Sequence, residues 1–389
     1  MGAKIDISDR LKKLPPYLFV EIDREKRQKI EEGRDIIDLG IGDPDQPTPD
    51  FIIKALNEAV KDPSTHHYAL DSGMMEFRVA IAQWYKKRFG VLLDPEAEIL
   101  PLIGSKDGIA HIPFAFLNTG DVVLSPNPGY PPYRNAAIIA GGDVYDMPLL
   151  EENSFLPKLD SIGKEVLSKA KLMFLNYPNN PTGAVCDKAF YKKAVDFATK
   201  NNIILCSDAA YTELSYDGYI PSSVLEIEGA KDIAVEFHSL SKTFNMTGWR
   251  IGMACGNRDV IKGLAKVKSN VDSGIFNAIQ RAGIVALDRT NEVTDKFKKI
   301  YQERRDILVD GLRSIGWEVE KPKATFYIWA KNLSKRDSTS MSKLILNEAD
   351  IVVTPGSGFG KYGEGYVRMA LTVPRERLKV AVDRIKKII

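Results

Sequence analysis

Between residues 99 and 256 the sequence alternates short β-branched or apolar runs with amphipathic stretches, and this rhythm restricts the fold more than any other feature. The candidate strands are Glu98–Ile103, Asp121–Ser125, Asp143–Met147, Leu172–Asn176, Ile203–Ser207, Ala234–His238 and Ile251–Cys255, with helical patterns such as Asp107–Leu117 and Lys188–Lys200 between them. Parallel strands need long crossover connections, which helices supply. The pattern therefore predicts an α/β fold, a mainly parallel seven-stranded sheet covered by helices on both faces. Ile251–Cys255 follows its predecessor closely and is read as an antiparallel member.

After Asp259 the rhythm changes. Charged helical patterns run through Lys268 and from Glu292 to Ser314. A strand (Thr325–Ala330), a helix (Ser340–Asn347), two strands (Ile351–Thr354 and Tyr366–Ala370) and a final helix (Arg375–Ile389) then follow, which is an α+β unit. A boundary is placed near residue 290. The first 50 residues are rich in proline turns and show little regular pattern, so they are expected to wrap onto other elements. At roughly 150 residues per domain, a chain of 389 residues allows two or three domains.

Composition excludes several functions. Lysine and arginine number 54 against 52 acidic residues, a net charge of +2, which gives no electrostatic footprint for nucleic acid. The three cysteines, Cys186, Cys206 and Cys255, form no C-x-x-C pair and read as reduced, buried thiols. The longest apolar run, Ile109 to Leu117, is too short to cross a bilayer and no signal-peptide pattern opens the chain, so no membrane contact and a cytoplasmic location are expected. No metal is expected, because the four histidines lack a metal-ligand spacing. Gly358-Phe-Gly360-Lys-Tyr-Gly363 matches G-x-G-x-x-G, but a strand pattern rather than a helix follows, so these glycines read as a turn.

Chemistry concentrates at the carboxyl ends of the strands, where open α/β sheets bind ligands. Ser239-Leu-Ser241-Lys242 follows one strand, with Arg250 eight residues after the lysine. By composition alone Lys242 is equally a solvated loop lysine and a lysine beside a phosphate site, able to form a Schiff base if burial lowers its pKa. Asn176-Tyr-Pro-Asn-Asn180-Pro-Thr-Gly183 ends a second strand and Asp208-Ala-Ala-Tyr211 a third. Gly104-Ser105-Lys106-Asp107 ends another strand and opens a helix, an anion site through its backbone N–H groups.

In this order the motifs resemble the fold-type I, pyridoxal-phosphate (PLP) dependent aminotransferases of class I/II: N-P-x-N-P-T-G, then D-x-x-Y, then S-x-S-K with a following arginine. The resemblance runs from about residue 15 to the end. It is strongest to the LL-diaminopimelate aminotransferases, through Pro16-Tyr17-Leu18-Phe19, Gly104-Ser-Lys-Asp-Gly-Ile109, Pro128-Gly-Tyr130-Pro131 and Ser273-Gly-Ile-Phe-Asn277-Ala-Ile-Gln280. It implies that Lys242 forms the Schiff base with PLP and serves as the proton-transfer base, and that Asp208 pairs with the pyridinium nitrogen. Tyr211 and Asn180 hydrogen-bond the ring oxygen, and Tyr130 stacks on the ring. Ser105, Lys106, Ser239, Ser241 and Arg250 hold the phosphate. Arg368, in Tyr366-Val-Arg-Met-Ala370, clamps the substrate α-carboxylate as a bidentate fork. Gly42 and Tyr17 line the substrate side, as do Lys106, Tyr130 and Asn180, and Asn277 serves cofactor and carboxylate. Tyr68 reaches the phosphate of a neighbouring subunit, which implies a homodimer. Because Gly42 and Arg368 must meet over one ring, the resemblance also sets a large cofactor domain at 51–290 and a small discontinuous domain at 1–50 and 291–389.

The expected reaction is transamination of LL-2,6-diaminopimelate with 2-oxoglutarate to tetrahydrodipicolinate and glutamate, in lysine biosynthesis. Alternatives on the same scaffold are an aspartate, alanine or aromatic amino acid aminotransferase, or a C–S lyase. A silent PLP-binding regulator has little support, since no helix-turn-helix extension accompanies the motifs.

Overall fold

The computed structural model describes residues 5–15, 18–332, 334 and 336–388, and of residues 18–21 the backbone alone. Among these residues twelve strands form: β1 (Ile37–Asp38), β2 (Ile99–Leu102), β3 (Val122–Asn127), β4 (Asp143–Pro148), β5 (Ala170–Asn176), β6 (Ile204–Asp208), β7 (Ala234–Ser239), β8 (Gly252–Gly256), β9 (Tyr327–Lys331), β10 (Ile351–Val352), β11 (Thr354–Pro355) and β12 (Tyr366–Ala370). The seven strands expected between residues 99 and 256 are β2 to β8. They make one sheet in the order β2-β8-β7-β6-β5-β3-β4. β8 runs antiparallel to both β7 and β2, as its short connection implies, and all other pairings are parallel.

Strand side chains alternate between two faces, so each strand feeds two core layers. Leu100, Leu102, Val123, Phe174, Cys206, Val235 and Phe237 pack on one face against Ile109 and Ile112 of the Ser105–Phe116 helix. Ile99, Leu124, Met173, Leu175, Leu205 and Met253 pack on the other, with Ile81 and Tyr85 of the Met75–Phe89 helix. Both faces are covered, which is why β5 and β7 read as nearly continuous buried runs. All three cysteines are buried and free.

The two chain ends meet. β1 pairs in parallel with β10, and β11-β12-β9 form an antiparallel sheet. The expected single strand Ile351–Thr354 divides at Val353, because β10 pairs with β1 while β11 pairs with β12. The glycine motif at 358–363 is a turn, made of two 3-10 segments, Gly356–Phe359 and Lys361–Gly363.

Two helices depart from the sequence reading. Leu18–Glu31 is helical although the first 50 residues show little regular pattern; eight of its fourteen residues are charged, so the apolar stripe that signals a helix is thin. Its charges instead pair locally, with Lys26 and Arg27 on Asp23 at 3.1 and 2.6 Å. Asn277–Asp288 is a second helix, buried through Ala278, Gln280, Ala282, Gly283, Ala286 and Leu287. Its small residues leave room for close packing, as at Gly283, where a Cβ would lie 2.7 Å from Ile251.

Candidate active site

Since β8 is antiparallel to both its neighbours, the carboxyl ends of β2, β5, β6 and β7 emerge along one edge of the sheet. Register sets the neighbours there: Asn176 lies opposite Asp208, Asp208 opposite Phe237, and both Ser239 and Leu102 opposite Gly252. Four loops therefore converge on a cavity of about 610 Å³.

One end of this cavity is an anion cradle. Gly104 precedes the Ser105–Phe116 helix with φ +78°, a backbone conformation that favours glycine. A Cβ at Gly104 would lie 2.3 Å from Arg250 Nη2, and one at Gly252 would lie 2.8 Å from the Ser105 backbone nitrogen. Both glycines thus keep the first N–H groups of the helix and the Arg250 guanidinium close together. Arg250 donates to the Thr247 carbonyl at 2.9 Å and the Ile103 carbonyl at 3.2 Å. On the other side Ser239 accepts from the Ser241 N–H at 3.2 Å, at the turn that carries Lys242.

Lys242 sits mid-cavity. Its Nζ donates to the Gly42 carbonyl at 3.0 Å and lies 5.6 Å from the centre of the Phe326 ring. Burial lowers its pKa to about 8; Asp43 opposes that shift and Arg250 and Arg368 add to it. About a tenth of the amine is therefore neutral, and so nucleophilic and basic, at pH 7, far more than for an ordinary lysine.

Asp208, at the end of β6, is buried, which raises its carboxyl to about 6. Tyr133 opposes the shift by donating to Oδ2 at 2.7 Å, and Tyr133 itself stacks on Phe174 with ring centres 4.8 Å apart. Asn176 Nδ2 fixes the Asp208 carbonyl at 2.7 Å. The result is a buried carboxylate aimed at a site that would stabilise it only by bringing a cationic group.

Arg368 comes from β12 and is buried. It donates to Asn180 Oδ1 at 2.9 Å and to the Gly40 carbonyl at 2.7 Å, and its guanidinium lies 4.2 Å over the Tyr327 ring and 4.7 Å over Phe359. Its Nε has no hydrogen-bond partner, a buried donor left for a ligand. With Oδ1 committed to Arg368, Asn180 keeps its Nδ2 for a ligand. Tyr211 Oη lies 3.3 Å from Tyr327 Oη, and burial holds both the Tyr211 and the Tyr133 hydroxyls protonated.

Of the residues singled out in the sequence, the cavity brings together Gly42, Ser105, Lys106, Tyr130, Asn180, Asp208, Tyr211, Ser239, Ser241, Lys242, Arg250 and Arg368. Two do not join them in the single chain. Tyr68 is 94% exposed, and Asn277 stands at the start of its helix, accepting from Gln280 Nε2 at 3.2 Å outside the cavity lining. Tyr17 lies outside the described residues.

Sequence reasoning missed Tyr133, Tyr327, Phe359 and Asp43, which serve or line the cavity, and named Asn176 only as the start of a strand-end motif. Tyr133 was within reach, because Pro131 opens a helix and Tyr133 follows Tyr130 by three residues. Tyr327 carries no local signal; only the tertiary fold lays it against Gly42, where a Cβ would be 1.9 Å from its Oη.

Asp107, His111 and Asp272 place one ligand atom each within 4.8 Å of one another beside the cradle. The buried Lys268 already bridges the two carboxylates at 3.0 and 2.5 Å. That ammonium supplies the positive charge a metal would bring.

The aminotransferase class I and II family model matches residues 34–385. An LL-diaminopimelate aminotransferase of Syntrophobacter fumaroxidans is 56% identical over 381 residues, covering 98% of each chain. That of Aquifex aeolicus is 55% identical over 383 residues, covering 98% of this chain and 99% of the relative. Among solved structures, substrate-bound BacF from Bacillus subtilis superposes with a TM-score of 0.94 at 42% identity over 98% of both chains. A single mutant of Thermus thermophilus aspartate aminotransferase does so with 0.93 at 28% identity, over 99% of this chain and 100% of the other.

Proposed function

Since this chain belongs to the class I and II aminotransferase family, we propose that it transfers one amino group of LL-2,6-diaminopimelate to 2-oxoglutarate in lysine biosynthesis, giving glutamate and a 2-amino-6-oxo acid whose remaining amine closes on the new carbonyl with loss of water to tetrahydrodipicolinate. The relatives 50–56% identical over nearly the whole chain carry that substrate in their names, whereas the aspartate aminotransferase stands at 28%. The observation that carries the reading is the set Lys242, Asp208 and Arg368: an amine of lowered pKa, a buried carboxylate and a buried guanidinium with an unpartnered Nε around one cavity.

Pyridoxal phosphate is the cofactor of the family, and the donor set of this cavity fits it. When bound, it supplies an electron sink for the negative charge that develops at the substrate Cα. Its phosphate would be held by the Ser105 and Lys106 backbone groups, Ser239, Ser241 and Arg250, in the cradle that Gly104 and Gly252 keep open. Asp208, with Tyr133 on its Oδ2, would hold the ring nitrogen positive by hydrogen bond and charge. Tyr211 Oη and Asn180 Nδ2 would donate to the ring oxygen, and Tyr130 would cover a ring face. Arg368 grips the α-carboxylate and so orients the Cα–H bond, and Lys242 Nζ takes that proton and later returns one to the product carbon.

We further infer two lobes, 51–290 and 1–50 with 291–389, so that Gly42 and Arg368 close over the cofactor from one side. A second copy of the chain supplies Tyr68 to the cradle. Tyr68 and Leu70 are 94% and 71% exposed, and Gly274 approaches the Leu70 carbonyl so closely that a Cβ there would lie 2.2 Å away. The loop after residue 67 and the Asn277 turn thus share one exposed face, which also carries Phe276. Among the described residues no helix is long and apolar enough to cross a membrane, and we place the reaction in the cytoplasm.

The test is a half-reaction. Protein loaded with pyridoxal phosphate and mixed with LL-diaminopimelate should lose the cofactor's aldehyde-type absorbance and gain that of its amine form. Lys242→Ala should hold cofactor but show no such conversion on this timescale. An unchanged wild-type spectrum, or conversion by Lys242→Ala at a comparable rate, refutes the assignment.

A further inference from the structure

The charged side chains lining the cavity, His111 aside, are Asp43, Lys106, Asp208, Lys242, Arg250 and Arg368. In the proposed reaction Asp208 answers the ring nitrogen, Arg250 the phosphate, Arg368 the α-carboxylate, and Lys242 moves the proton. Asp43 is left over. Among the described residues it makes no hydrogen bond or ion pair, although it sits in a cavity where cations outnumber carboxylates.

The backbone that carries Asp43 is also held firmly in place. Its segment is pinned on both sides and at its centre. Before it, Arg368 Nη2 and Thr354 Oγ1 donate to the Gly40 carbonyl at 2.7 and 3.0 Å, and Thr372 Oγ1 to the Ile41 carbonyl at 2.7 Å. Lys242 holds the Gly42 carbonyl at 3.0 Å. After it, Arg304 grips Asp45 with two bonds of 2.6 and 2.8 Å, and Thr48 Oγ1 reaches the Asn245 carbonyl at 2.7 Å. The Asp43 side chain is exposed at the mouth of the cavity, carried by a backbone fixed on both sides, with its field reaching Lys242.

The substrate has a leftover charge of the opposite sign. LL-diaminopimelate and glutamate share an α-amino group, an α-carboxylate and a distal carboxylate. They differ by two methylenes in length and in the second ammonium at the far end of diaminopimelate. We propose that Asp43 is a specificity-determining residue that pairs with this distal ammonium and so selects a diamino dicarboxylate over an amino dicarboxylate of the same length. The assignment rests on the function proposed above and deepens it. Fixing the backbone that carries the carboxylate before the substrate arrives lowers the ordering cost of the pair.

The probe is L-2-aminopimelate, which matches LL-diaminopimelate except for the missing distal ammonium. Rates of the cofactor half-reaction are measured with each compound over a concentration series, for the wild type, Asp43→Asn and Asp43→Glu, all loaded with pyridoxal phosphate. The wild type should favour LL-diaminopimelate in kcat/KM by roughly tenfold or more, the scale for one charge pair at a pocket mouth. Asp43→Asn should lose that preference through a higher KM for LL-diaminopimelate, and Asp43→Glu should keep most of it. Parallel losses on both compounds would mean that Asp43 acts through Lys242, and an unchanged preference would mean that it does not read the ammonium; either overturns the assignment alone. A wild type that converts L-2-aminopimelate and not LL-diaminopimelate overturns the proposed function along with it. Cofactor loading, read from its absorbance, shows that each variant is folded.

Discussion

Asp208 offers a test in which the same substitution is expected to have opposite effects on stability and on function. Without cofactor its carboxyl is raised from 3.8 to about 6, mainly by burial. A raised acid stabilises the fold fully only below its unfolded pKa, and that contribution is lost as pH climbs through the folded value. Below about pH 3 the group is neutral in both states. Between pH 4 and 6 the unfolded chain ionises first, and above about pH 6 the whole penalty is present. A shift of about two units corresponds to about 3 kcal/mol. Asp208→Asn keeps the shape and an acceptor for the Tyr133 hydroxyl, but carries no charge.

Cofactor-free Asp208→Asn should therefore nearly match the wild type in thermal midpoint at pH 4 and exceed it at pH 8, by a few degrees for about 2–3 kcal/mol in a chain of this size. With pyridoxal phosphate bound, the order should reverse at pH 8, because the wild-type carboxylate then has a cationic partner and the amide does not. The assay is a thermal melt of both proteins, with and without cofactor, across that pH range. A difference independent of pH, or a variant less stable than the wild type without cofactor at pH 8, would refute the reasoning that the site stores an unpaired buried carboxylate.

Arg368→Lys should raise KM for every α-amino acid tested by about one hundredfold, since an ammonium keeps the charge and loses the two-point fork and the stacking on Tyr327 and Phe359; a change below threefold would contradict its role in the carboxylate clamp. Tyr68→Ala should weaken pyridoxal phosphate binding about tenfold without altering the sedimentation of a dimer. A monomeric wild type at micromolar concentration, or unchanged cofactor affinity in the variant, would remove the shared site.

How much of this was legible in the chain follows from the range of each signal. The strands from residue 99 to 256 were legible because burial on both faces leaves runs that no solvated segment would carry. The residues at their ends were legible as a set, because their motifs in this order resemble those of the aminotransferase family, whereas Lys242 by itself was open to a solvated-loop reading. The Leu18–Glu31 helix was not, since its stability comes from charge pairs and docking rather than an apolar stripe. Tyr327 and Asp43 were not, because no local pattern says which loop will cross the sheet edge.

The sequence by itself determined the sheet and its antiparallel member, because these follow from local periodicity; the roles of Lys242, Asp208 and Arg368 came from the order of motifs that resembles the aminotransferase family, since residue type alone left Lys242 open. Only the tertiary structure decided that β1 and β10 join the chain ends, that Gly40–Asp43 lies under Arg368 and over Lys242, and that Tyr133 supports Asp208. These are contacts between residues 75 to 328 positions apart. They are set by which surfaces can be buried together, and no short stretch of sequence contains that information.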